Sequence, residues 1–119
     1  DITRTVFVGE PTKEQQRVYD LVAKAQKFAI DAIEAGVTCK EVNDVAVNEF
    51  KKNAMDKYFV HALGHGVGLD VHERPFIAER SSDTFKPGMV VTVEPGLYLP
   101  EQFGVRIEDM VMVPENEGW

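Results

Sequence analysis

All three histidines of the chain, His61, His65 and His72, fall within one stretch, His61-Ala-Leu-Gly-His-Gly-Val-Gly-Leu-Asp-Val-His-Glu73. Imidazole serves as metal ligand, proton carrier and hydrogen-bond donor, so chemistry is sought here first. His61 and His65 stand four apart, a spacing that on a helix would put both rings on one face, as in a zinc protease helix. Gly64, Gly66 and Gly68 oppose that helix, since each costs about 1 kcal/mol in a helix interior relative to alanine. Extended or looping backbone is favoured instead. At a rise of roughly 3.3 Å per residue, extended positions four apart lie about 13 Å from each other. Unless the chain bends, one histidine at most is a direct ligand of a given metal. The glycines would let this backbone pack closely against a neighbour while the imidazoles project into a cleft.

The acidic candidates lie on either side. Glu94 closes the apolar run Met89-Val-Val-Thr-Val-Glu94, where an ionised carboxylate is costly to bury unless something positive meets it. Alternatively it lies just past a sheet, in solvent, beside Pro95-Gly96. Alternation through Val105-Arg-Ile-Glu108 places Arg106 and Glu108 on one face and Val105 and Ile107 on the other, which also allows a plain surface ion pair. The metal reading is that His65, Glu94 and Glu108 come from three extended segments of one sheet. One imidazole with several carboxylates suits a catalytic Mn, Co, Fe or Zn site. Asp1 is a further carboxylate just before the first expected strand. Alone it would mean little, but a dinuclear site needs several carboxylates to neutralise its charge.

These residues need a scaffold, and 119 residues are enough for one small domain with a core. Ile2–Val8 reads as a β-branched strand ended by Gly9-Glu-Pro11. Thr12 with Gln15 forms a capping box, and Val18, Leu21, Val22, Ala25, Phe28, Ala29, Ala32 and Ile33 repeat at helical spacing as far as Gly36. Thr38 with Glu41 caps a second helix, with Val42, Val45, Ala46 and Phe50 on its buried face, running to about Asn53. Met89–Glu94 is apolar on both faces and is expected to be a central strand; Leu97–Gly104 reads as a loop; Val105–Val113 reads as a strand pairing antiparallel with Met89–Glu94. The order of helices and strands indicates an α+β fold.

Charge and composition bound the partners. The net charge of −7 argues against nucleic acid and anionic membrane surfaces and suits cations, or simply a soluble acidic surface. Cys39 is the only cysteine, so no intramolecular disulfide forms. No apolar run approaches the ~18 residues of a spanning helix, and no basic-then-apolar segment opens the chain; a reducing cytoplasmic compartment is expected.

Four strings, Asp1-Ile-Thr-Arg-Thr, His61 to Glu73, Lys86-Pro-Gly-Met-Val-Val-Thr-Val-Glu94-Pro-Gly and Arg106-Ile-Glu108-Asp109, resemble in order the pita-bread metallopeptidases. They look most like Xaa-Pro dipeptidase (prolidase) and aminopeptidase P, over residues 1 to about 113. The resemblance implies half of a pita-bread fold, a curved antiparallel sheet with two helices packed on its outer face. It implies two divalent metal ions (Mn, Co, Fe or Zn), with Asp1 and Glu108 as bridging carboxylates and His65 and Glu94 as further ligands. His61 and His72 become cleft histidines that contact substrate and the tetrahedral intermediate, Arg106 orients the neighbouring carboxylates, and Glu94 takes and returns the proton. The implied reaction is hydrolysis of the peptide bond before proline in an Xaa-Pro peptide, by hydroxide that two metals make available near neutral pH.

The family pattern has another metal-binding Asp on the preceding strand and the first half of the domain upstream. Neither is in this sequence. Residues 1–119 are therefore expected to be the C-terminal portion of the catalytic domain, ending early at Asn116-Glu-Gly-Trp119. By itself such a piece should hold at most one metal well, be inactive, and self-associate, as a homodimer or more loosely, through an uncovered sheet edge and face. The competing reading is a non-catalytic pita-bread module that binds a peptide or protein in its cleft.

Overall fold

The computed structural model describes residues 1–115, so the expected early end at residues 116–119 lies outside the described residues. Thr12 caps the first helix, α1 (Lys13–Asp31): its hydroxyl accepts the Gln15 N–H while the Gln15 side chain accepts the Thr12 N–H. Val18, Leu21, Val22, Ala25 and Ala29 form its buried face. The helix stops short of Gly36 because its last turn tightens. The Ala32 and Ile33 N–H groups reach back to Ala29 and Ile30, three residues away, and Gly36 takes a φ of +91° in the turn that follows. Phe28 leaves the stripe and is 39% exposed beneath the Lys24 ammonium.

Thr38 and Glu41 make the same reciprocal cap on α2 (Cys39–Lys52). Val42, Ala46 and Phe50 are buried as the spacing predicts, whereas Val45 is half-buried. Glu49 is buried between the helices, paired with Lys24 of α1 at 3.1 Å and Lys52 at 3.5 Å. A short 3₁₀ turn, Asp56–Tyr58, then leads to the histidine stretch.

Six strands follow: β1 (Gly64–Gly66), β2 (Glu73–Ile77), β3 (Val90–Val93), β4 (Gly96–Leu99), β5 (Phe103–Arg106) and β6 (Asp109–Met112). Four of them form an antiparallel sheet in the order β2-β1-β3-β6. β3 is central, with Val91, Thr92 and Val93 fully buried, as its two apolar faces require. It pairs with β6 from Val90↔Met112 to Val93↔Asp109.

Three expectations need correction. Val105–Val113 is two strands, because Ile107 and Glu108 break it and its halves find different partners. β5 closes a hairpin with β4, so Leu97–Gly104 is a hairpin turning at Glu101 (φ +61°), not a loop. Ile2–Val8 makes only one bridge, Thr3 with Glu108. It lies beside that break, and its next contact uses a side chain: the Thr5 hydroxyl donates to the Arg106 carbonyl at 2.8 Å and accepts the Arg106 N–H at 3.3 Å.

α1 packs on β3, β4 and β5, and α2 packs on β2. The core between helices and strands is built from Val18, Val22, Val42, Phe50, Leu63 and Val91 among others. This is an α+β arrangement with both helices against the strands. No helix among the described residues is long and apolar enough to cross a membrane.

Candidate metal centre

His65 sits in the middle of β1, and its neighbours explain the glycines. A Cβ on Gly64 would fall on the Thr92 carbonyl, and one on Gly66 on the Arg74 carbonyl, so β1 can lie this close to both flanking strands only without side chains there. The His65 N–H donates to the fully buried Thr92 hydroxyl at 3.1 Å. Its Nδ1 is 2.8 Å from the Gly66 carbonyl. A carbonyl only accepts, so Nδ1 carries the proton and Nε2 presents its lone pair.

That lone pair faces the acids. Nε2 is 3.5 Å from Asp1 Oδ2 and 4.0 Å from Glu94 Oε2. Asp1, His65 and Glu108 each offer a donor atom, all within 4.8 Å of one another. Glu94 follows β3, with its N–H bonded to the Leu63 carbonyl at 2.7 Å, and Glu108 occupies the break between β5 and β6. Four side chains remote in sequence thus converge, three carboxylates around one imidazole.

Burial, then the hydrogen bond and charge of Glu108, push the Glu94 carboxyl up to about 8, against the pull of Arg106. Burial would raise Glu108 too, but hydrogen bonds from Glu94 and Thr3, with the charge of Arg106, hold it below its ordinary value. Crowded carboxyls of this kind share a proton, and a cation is the other way to relieve their repulsion. A buried imidazole with a directed lone pair among oxygen donors fits a divalent metal.

The remaining expected site residues divide. His72 is exposed and meets the His65 ring edge-on at 4.6 Å, beside the acids. His61 has both ring nitrogens engaged: its Nδ1 is 2.7 Å from the Ala62 carbonyl and its Nε2 is 2.8 Å from the Tyr98 hydroxyl. By the same reasoning Nδ1 is protonated and Nε2 accepts from Tyr98, so neither ring nitrogen is a free donor. Arg106 reaches the acids through an intermediary. Its Nε donates to the Thr3 hydroxyl at 3.2 Å, and that hydroxyl donates to Glu108 at 2.7 Å.

Thr3, Tyr98, Thr92 and Gln26 were not among the expected site residues. Thr3 had a signal in the alternation of Asp1, Thr3 and Thr5 along one face, and Gln26 in being a polar residue four after Val22 in an apolar stripe. Tyr98 and Thr92 had none, because their roles depend on which strand lies alongside.

The sequence matches metallopeptidase family M24 over residues 1–115, and the chain belongs to that family. It is 47% identical over 116 residues to an Xaa-Pro dipeptidase of Pyrococcus furiosus, covering 98% of this chain and 33% of that protein. The solved prolidase of Pyrococcus furiosus superposes with a TM-score of 0.94 over 97% of this chain and 34% of that one. The X-prolyl aminopeptidase of Caenorhabditis elegans, described as a cytosolic enzyme with a di-nuclear active site, is 33% identical with a TM-score of 0.84, over 93% of this chain and 18% of that one. The fold is that of a portion of the prolidase pita-bread domain. The chain spans about a third of the length of the curated relatives it matches.

Proposed function

We propose that this chain forms the C-terminal portion of a pita-bread catalytic domain, in a cytoplasmic metallopeptidase that cleaves the peptide bond preceding proline. The observation that carries the reading is the meeting of Asp1, His65 and Glu108, whose donor atoms lie within 4.8 Å of one another, with Glu94 4.0 Å from the imidazole. Asp1 and Glu108 would serve as carboxylates shared by two divalent ions, and His65 and Glu94 would complete the hold on one of them. Bound metals of this kind supply Lewis acidity and make a water acidic enough to ionise near neutral pH. Glu94, beside that position, receives and returns the proton. His72, exposed next to His65, donates to the developing oxyanion. Arg106, through Thr3, keeps Glu108 oriented, and His61 with Tyr98 forms a cleft wall against the Xaa-Pro peptide.

The metal identity is assigned only as Mn, Co, Fe or Zn, which a carboxylate-rich site with one imidazole accepts. The 119 residues alone are assigned at most one firmly held ion and no turnover. Metal stoichiometry and cleavage of an Xaa-Pro dipeptide and a longer Xaa-Pro peptide by the complete protein test the reading. Release of the amino-terminal residue with metal bound supports it; peptide binding without cleavage would replace it with the non-catalytic module.

A further inference from the structure

The acids of the site lie just past the last rung of the β3–β6 ladder, where Val93 pairs with Asp109. Glu94 lies after β3, and Glu108 lies in the break between β5 and β6, where regular pairing lapses. One side chain spans both. Gln26, on the sheet-facing side of α1 and only 8% exposed, donates from Nε2 to the Val93 carbonyl at 3.2 Å and to Asp109 Oδ2 at 3.0 Å. Val93 immediately precedes Glu94, and Asp109 immediately follows Glu108. A third acceptor, the Ile107 carbonyl, lies at the 3.5 Å limit.

An amide nitrogen has two hydrogens, and here they serve both members of that last rung. The groups they reach are a backbone carbonyl and a carboxylate. Asp109 is held on its other side by Arg4, whose guanidinium contacts Asp109 Oδ1 at 2.7 Å and the Glu108 carbonyl at 3.0 Å. We infer that Gln26 is a positioning residue for the metal centre: from the helix behind the sheet it braces the last pair of the β3–β6 ladder, Val93 and Asp109, from which Glu94 and Glu108 extend. It touches neither ligand nor substrate. The inference rests on the metal-centre reading and gives the helix layer a role in it.

Metal ligands depend on such outer supports, and their loss typically weakens metal affinity by about 10–100-fold. Gln26→Leu removes both donors at similar size, and Gln26→Glu keeps the shape but sets a second carboxylate against Asp109. Val22→Ala serves as control, since it opens a cavity on the same buried helix face, one turn away, and removes no hydrogen bond to either segment. Each variant of the complete protein is titrated with Mn2+ alone, and its thermal stability is measured metal-free. Both Gln26 variants should bind Mn2+ about 10–100-fold more weakly than wild type, whereas Val22→Ala should lose thermal stability with Mn2+ affinity unchanged. Wild-type affinity in both Gln26 variants, or an equal loss in Val22→Ala, would overturn the positioning role. Failure of the wild type to bind Mn2+ would instead sink the metal-centre reading beneath it.

Discussion

At the scale of single residues, the glycines around His65 define how close backbone must come. Gly64 and Gly66 face the carbonyls of Thr92 and Arg74, which cannot move without breaking sheet pairing, while a Cβ on Gly68 would meet only the carboxylate of Glu73, the far end of a flexible side chain. Gly64→Ala is therefore expected to destabilise by about 1–3 kcal/mol, the range for forced overpacking, and Gly68→Ala by much less. Urea unfolding of the two metal-free variants checks the contrast. His72 gives a second residue-level prediction, because it lies beside His65 yet outside the converging donor set. In the complete protein His72→Ala should lower kcat, by about 10²–10³ if it is the oxyanion donor, with bound metal unchanged. Loss of metal from that variant would make His72 a ligand.

At the scale of elements, both helices begin where their sequences say, since a Thr and an acceptor three residues later form a self-contained signal. Their partners were less legible. The hairpin of β4 and β5 turns at Pro100-Glu101; proline at the first corner signals a turn, but that its flanks pair as strands is shown only by the fold. The loop before β3 depends on a polar clamp: Asp83 contacts the Arg74 guanidinium and accepts the Phe76 N–H at 3.0 Å. The Arg74 hydrogen bond, outweighing burial and helped by the Phe76 N–H, holds the Asp83 carboxyl below its usual range. An unfolded Asp titrates near about 3.9, so this contribution is complete above that pH and is lost as pH falls through the lower folded value. Asp83→Asn should lower the urea midpoint at pH 7 and narrow the drop between pH 7 and pH 3. An unchanged pH dependence in the variant would contradict the assignment.

At the scale of the whole molecule, β6 is an edge strand of the main sheet, with Met110 and Met112 half or more exposed. Ile2, Val6, Val8 and Leu69 add further exposed apolar surface. A free edge with apolar side chains invites pairing with another chain. The 119-residue chain in isolation is expected to self-associate, its sedimentation coefficient rising with concentration. One monomeric boundary at every loading would refute this. Sequence relatives about three times as long, built on the same fold, provide a natural source of cover for such surfaces in a larger protein.

Helical spacing, capping signals and the apolar run of β3 were decided by local sequence, because each depends on residues within a few positions of one another. The motif strings likewise singled out Asp1, His65, Glu94 and Glu108, which the fold brings together. Only tertiary structure decided that Ile107 and Glu108 separate β5 from β6, that His72 lies beside His65 while His61 turns to Tyr98, and that Gln26 reaches through from a helix to both acidic segments. Those facts rest on contacts between residues as many as 83 positions apart. Periodicity says which face of an element is buried; which neighbour it meets there is settled by the packing of the entire chain.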